Sequence, residues 1–180
     1  QNSDMKKYTF KKGKFNLTPG EPFQLWQPGK VGILQWTVQF DETCRYIQPH
    51  SEQEDWLKGG GIALDLFNNN RNAIMWGWRY NPDTDKIELC LYAHPGKDRY
   101  FTEPLLSVEI GITIIARIYK LSASVWIVEF IAGEKRDKAS VTIKANPFVC
   151  RRIPAWFGGT LPAPQDVNWH LEFASDKLEA

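Results

Sequence analysis

Cysteine is scarce in this sequence. Cys44, Cys90 and Cys150 are the only three among 180 residues. An odd number that small cannot build a disulfide framework within one chain. No Cys-x-x-Cys pair occurs, and no Cys/His cluster has zinc spacing, so neither a metal nor another cofactor is expected. Each cysteine sits among strand-forming residues, where a free thiol behaves as a small buried hydrophobe. Charge of one sign is missing too. The 22 Lys and Arg against 21 Asp and Glu leave a formal net charge of +1. That balance argues against nucleic acid as a partner, which a basic excess or stripe would announce. The one basic run, KKYTFKKGK over 6–14, fits a solvated edge strand guarded by lysines.

Long apolar runs are absent, so no membrane insertion is expected. No signal peptide is read at the start. The polar opening QNSD suits a mature end left by signal removal, and Met5 would equally suit a native beginning. Residues 1–6 are set apart as a disordered or foreign tail. An exported or cell-surface setting is favoured over the cytoplasm. No Gly-x-Ser-x-Gly elbow and no phosphate-binding glycine loop is found. His50, His94 and His170 lie far apart and spell no triad or metal motif.

What the sequence has in plenty is alternation in steps of two. Over 33–40, Leu34, Trp36, Val38 and Phe40 alternate with Gln35, Thr37 and Gln39. Over 108–118, Val108, Ile110, Ile112, Ile114, Ala116 and Ile118 share one face of what reads as a single long strand. Trp126, Val128 and Phe130 share another, as do Ala139, Val141, Ile143 and Ala145. The last such run sets Val167, Trp169, Leu171 and Phe173 inward. Turn residues punctuate these runs at 18–22, 27–30, 81–85, 94–97 and 132–135. The turn NPDTD predicts a hairpin between 72–80 and 86–94. A helical stretch is expected only over 51–58, capped by Ser51 and stopped by Gly59-Gly60-Gly61. Roughly ten to twelve strands follow from the pattern. The predicted fold is all-β: one domain over 1–180, a two-sheet antiparallel β-sandwich of the jelly-roll type.

Two stretches stand out as candidate sites. In NNNRNAIMWGWRY (68–80), alternation puts Ile74, Trp76, Trp78 and Tyr80 on one face and Met75, Gly77 and Arg79 on the other. Gly77 would leave an open floor beside Arg79, whose planar fork suits a sugar hydroxyl or a carboxylate. The bland alternative is a bulge at Gly77 and a cross-strand acid for Arg79. Arg71 lies in the preceding loop. In WFGGTLPAPQD (156–166), two glycines and two prolines make a rigid turn that could present Trp156, Gln165 and Asp166 as a wall, or simply deliver the last strand. The candidate ligand-binding residues are therefore Arg79, Asp166, Trp156, Gln165 and Arg71.

The segments GWRY (77–80), FGGTLPAPQD (157–166) and VQFDETCRYI (38–47) resemble those of an uncharacterised family of bacterial β-sandwich proteins. Gln165 stands where that family usually has His, and asparagines stand before Gly77 where histidines are common. The resemblance implies a fold similar to the concanavalin A-like jelly roll of lectins, glucanases and lyases. The Glu-x-Asp-x-x-Glu strand of jelly-roll glucanases, which sets two carboxylates on one face, is absent, as is the Arg-x-Glu-x-Arg motif of jelly-roll alginate lyases. The leading expectation is non-catalytic binding of a polysaccharide or oligosaccharide, with aromatics stacking on sugar faces. The alternatives are a glycan-cleaving hydrolase or lyase, and a structural or protein-interaction module. Titration of the denatured, unreduced chain should find all three thiols free; a single free thiol would mean an internal bridge.

Overall fold

Nearly every run of period two becomes a strand. A computed structural model describes residues 4–145 and 147–176, so Gln1–Ser3 of the expected tail lie outside the described residues. The first sheet contains β1 (Lys6–Phe10), β2 (Leu17–Thr18), β4 (Ile33–Gln39), β10 (Thr113–Lys120), β11 (Val125–Ala132), β12 (Lys135–Thr142) and β14 (Val167–Asp176). Their order is β12-β11-β10-β4-β14-β1-β2. The second sheet runs β3 (Leu25–Trp26), β13 (Cys150–Ile153), β5 (Leu57–Ala63), β6 (Ala73–Asn81), β7 (Lys86–His94) and β8 (Tyr100–Phe101), with β9 (Leu106–Glu109) also on β7. The two antiparallel sheets pack as a jelly-roll β-sandwich. The hairpin expected at NPDTD joins β6 to β7, with Tyr80 opposite Ile87. The basic run falls on β1, one place in from the edge: β2 pairs only with Thr9 and Phe10.

Aromatic side chains fill the space between the sheets. Trp76 and Trp78 from β6 stack on Trp169 from β14, with ring centroids 5.8 and 5.3 Å apart. Phe130 meets Trp76 edge-on at 6.0 Å, and Phe40 meets Trp169 edge-on at 5.6 Å. Each such pair contributes about 0.5–1.5 kcal/mol beyond the burial of its area. Most of the aromatic wealth is thus core rather than platform. All three cysteines are buried and unpaired.

Two expectations fail, each for a physical reason. The helical stretch shrinks to one turn, α1 (His50–Gln53), capped by Pro49 without a side-chain bond, so Ser51 is inside it and is not its cap. Gly59-Gly60-Gly61 do not stop a helix. They form the middle of β5. A Cβ at Gly59 would fall onto the indole of Trp76, and one at Gly60, where φ is +147°, onto the indole of Trp36. The strand is glycine because its neighbours are tryptophan. A bulge between Lys58 and Gly60 adds one residue. Leu57 and Ile62, five apart, would face opposite ways on a regular strand, yet both join the main core. The bulge absorbs the difference and leaves Lys58 on the outer face.

The second failure is the long strand expected over 108–118. It breaks at Gly111, whose φ is +93°. The chain leaves the second sheet after β9 and enters the first as β10. The apolar alternation continues in phase across the break, so period alone cannot reveal it, and Ile112 becomes 42% exposed instead of core.

A Cβ at Gly61 would collide with the Ile74 carbonyl and the Met75 side chain. Gly61→Ala should therefore cost about 2–4 kcal/mol of unfolding free energy in urea titrations. A loss below about 1 kcal/mol would show that β5 and β6 part more easily than their packing implies.

Candidate functional site

The outer face of the second sheet, turned away from the main core, carries a smaller apolar layer. Trp56, Met75, Cys90, Tyr92 and Ile153 form it, with Trp156 packed alongside. Gly77 is not an open floor. The Trp56 side chain and Cys90 Sγ close over it, and a Cβ there would lie 2.8 Å from that sulfur. The glycine is needed because Cys90 Sγ and the Leu57 carbonyl stand where its side chain would go. Arg79 then stacks on Trp56, its guanidinium carbon 4.0 Å from the ring centre. Its Nε donates to Glu88 at 2.9 Å and a terminal nitrogen donates to the Glu54 carbonyl at 2.7 Å.

Arg79 forms a ridge between two clefts. The first, of about 550 Å³, is lined by Gln48, His50, Gln53, Tyr80 and Glu88 among others. The second, of about 390 Å³, is lined by Asp55, Trp56, Lys58, Tyr92, Arg99 and Phe101 among others. Cation, acid and aromatic surface converge in the second.

Lys58 is the unusual member of that cleft. It is only 7% exposed. Its ammonium donates to the Trp56 carbonyl at 2.8 Å and lies 4.2 Å from the Tyr92 ring centre and 5.5 Å from that of Trp156. Among the described residues no carboxylate reaches it within ion-pair distance. Burial pushes its pKa down to about 8, and the positive charge of Arg99 acts the same way. Burying a cation without a counter-ion is costly, and the side chain answers by binding its proton more weakly.

Two acids stand beside it. Thr160 holds the Glu52 carboxylate, its hydroxyl donating at 2.6 Å and its amide at 3.3 Å, which lowers the pKa of Glu52. Asp55 is shifted the other way, first by desolvation, then by the charge of Glu52 and a hydrogen bond between the two carboxyls. Gly158 and Gly159 make room for this group. A Cβ at Gly158 would lie 2.9 Å from Lys58 Nζ, and one at Gly159, where φ is +88°, 2.8 Å from Asp55 Oδ2. Tyr92 has its pKa raised, chiefly by burial. His94, further along the same face of β7, has its pKa lowered by burial. Its Nδ1 lies 3.0 Å from the Asp98 carbonyl and can only donate there.

The residues singled out from sequence are dispersed. Arg79 and Trp156 meet in this region: Trp156 pairs with Lys58 through backbone bonds of 3.1 Å in both directions. Asp166 lines neither cleft and accepts the Lys12 amide at 2.8 Å. The carboxylate partner of Arg79 is Glu88, not Asp166. Gln165 donates to the Thr43 carbonyl at 2.8 Å. Arg71 lies 3.8 Å from Asp65, in a third depression that also holds Phe67 and Phe148. Sequence reasoning missed Lys58, Asp55, Glu52, Tyr92 and Arg99. The available signal was the pair of glycine runs, 59–61 and 158–159, which flank Lys58 in space.

The architecture defines a class, the jelly-roll β-sandwich, which this chain shares with a polysaccharide lyase. The exolytic PL7 alginate lyase AlyA5 from Zobellia galactanivorans superposes with a TM-score of 0.69, covering 99% of this chain and 86% of that one at 10% identity. A functionally unknown protein from Saccharomyces cerevisiae superposes with a TM-score of 0.53, covering 98% and 94% at 10% identity. At such identity the likeness is one of fold. Comparison with protein families finds no match, and neither does comparison with curated proteins.

Lys58 should cost the protein stability. The folded chain disfavours the charged form, so the penalty is full below about pH 8 and fades as pH climbs toward the ordinary lysine value of 10.5. Lys58→Met should raise the unfolding free energy by about 2 kcal/mol near neutrality, with the gain narrowing toward pH ~10. Denaturant titrations of both proteins across that range check it. A destabilised Met variant at neutral pH would mean that the Trp56 and Tyr92 contacts outweigh the burial cost.

Proposed function

We propose that this chain is a polysaccharide lyase that cleaves an acidic polysaccharide in the cleft around Lys58. One observation carries the reading: a buried ammonium with no carboxylate partner among the described residues faces an open cleft beside Arg99. Such a cation calls for an anion from outside, and the carboxylate of a uronic acid supplies one. Arginine suits a planar carboxylate by its forked donors. Trp56, Tyr92 and Phe101 provide apolar walls for sugar faces. The fold shared with an alginate lyase supports the same direction.

The chemistry that follows is elimination. Positive charge on the uronate carboxylate makes the neighbouring C5 hydrogen acidic, because charge that develops there is met by fixed donors. Removal of that proton forms the C4=C5 double bond and expels the oxygen at C4. Arg79 remains in the proposal as a wall of the site, and Trp156 as a ring beside the Lys58 ammonium. Asp166, Gln165 and Arg71 are assigned structural ties.

Incubation with polymannuronate, polyguluronate, pectate and hyaluronan, followed by ultraviolet absorbance of the unsaturated uronate, tests the proposal. Absorbance should rise with at least one of them, and Arg99→Ala should raise KM about tenfold or more, as expected for loss of a charged hydrogen bond to substrate. New reducing ends without the absorbance would replace elimination by hydrolysis. Saturable binding with no cleavage would return the protein to the class of non-catalytic glycan binders.

A further inference from the structure

Glu52 and Asp55 form a pair that the lyase reading leaves without a role. They stand three residues apart, one in α1 and one at the entry to β5. Both carboxyls crowd one spot: a Cβ at Gly159 would lie 2.8 Å from Asp55 Oδ2 and 3.3 Å from Glu52 Oε2. The division of labour is unequal. Thr160 anchors Glu52 as the anion, and the negative charge it keeps there bears on Asp55. Asp55 lines the cleft, whereas Glu52 does not. Beside Asp55 in the same cleft is Lys58, a polar side chain more than nine-tenths buried with no anionic partner among the described residues. Adjacent bare backbone positions, Gly158 and Gly159, pack against Lys58 Nζ and Asp55 Oδ2 respectively. Acid and base are therefore side by side, on one wall of one cleft.

We propose that Asp55, positioned by Glu52, takes the C5 proton, and that Lys58 protonates the departing oxygen. This rests on the lyase reading. In the step, the Asp55 carboxylate accepts the hydrogen from C5 and becomes a carboxylic acid. The C5–H electron pair becomes the second bond of C4=C5. The C4–O bond breaks with its electrons on oxygen, and that oxygen takes a proton from the Lys58 ammonium to leave as a hydroxyl. Solvent then returns a proton to Lys58 and removes one from Asp55. No oxidant, reductant or further reactant is needed.

The roles fit the protonation states near neutrality. Burial first, and then the charge of Glu52, makes Asp55 a stronger base than an ordinary aspartate, while Lys58 and Arg99 oppose it. Lys58, with a pKa of about 8, is a stronger acid than an ordinary lysine. Asp55, Arg99 and Cys90 face it, and Glu54, Arg79 and Tyr92 complete the charged or titratable lining. The competent form, Asp55 ionised and Lys58 charged, prevails between the two pKa values. A base and an acid tuned toward neutrality by burial and neighbours are typical of proton-transfer catalysts.

The test uses the full chain and the acidic polysaccharide on which it is most active. Asp55→Asn should lower kcat about 100-fold or more, with KM within about threefold of wild type and an unchanged melting temperature. Glu52→Gln should move the acid limb of the pH profile down by about half a unit or more, since a like charge leaves Asp55. A wild type that forms unsaturated product while Asp55→Asn keeps its kcat overturns this assignment and leaves the lyase reading intact. Should Asp55→Asn fail to fold, the Glu52→Gln profile decides, and an unmoved acid limb overturns the assignment. A wild type that forms no unsaturated product removes both.

Discussion

Indole rings facing glycine backbone set the geometry from which the rest follows. Trp36 and Trp76 occupy the volume that side chains on β5 would need, so β5 has none at Gly59 and Gly60. A strand without side chains packs closely but loses register easily. The single-residue bulge restores it, putting Leu57 and Ile62 into the core and Lys58 on the opposite face. The same logic repeats outside: Gly77 is bare because Cys90 Sγ stands where its Cβ would be, and Trp56, alongside, supports Arg79. The cleft is thus a by-product of how large side chains are accommodated on both faces of one sheet.

That dependence explains why the electrostatics of the cleft can be unfavourable and still persist. A cation placed between Tyr92 and Trp156 receives some compensation from the ring faces and one carbonyl, less than water would supply. The surrounding packing is tight enough to hold it there. Strain of this kind concentrates where a ligand is meant to relieve it, which is the physical link between the packing of β5 and the proposed chemistry.

Sheet membership was well legible in the sequence, because steps of two survive wherever one face is buried. The inward Trp76, Trp78 and Trp169 follow from that rule, and the hairpin at NPDTD follows from its turn residues. What stayed hidden were the places where backbone does something that side-chain pattern does not encode. The glycines at 59–61 look like a stop signal until Trp76 and Trp36 are known to lie on them. Gly111 redirects the chain between sheets without disturbing the alternation of Val108 and Ile114. Lys58 is a lone lysine between Trp56 and three glycines, and nothing local marks it as buried. Arg79 was legible as a polar residue on an aromatic strand, but its neighbours in space, Glu54 and Trp56, come from a segment that reads as helix.

The position of β14 has a consequence for how the chain comes to be made. Residues 167–176 form the strand between β4 and β1, pairing Leu171 with Val38 on one side and with Lys6 on the other. During synthesis from the N-terminus, two raw strand edges and the underside of Trp76 and Trp78 must wait for Trp169 to be added. Pairings this distant along the chain form slowly, and edges left open in the meantime invite other chains. The sandwich therefore passes its most aggregation-prone moment at the ribosome, when nearly all of its strands have emerged but the one that closes the first sheet has not.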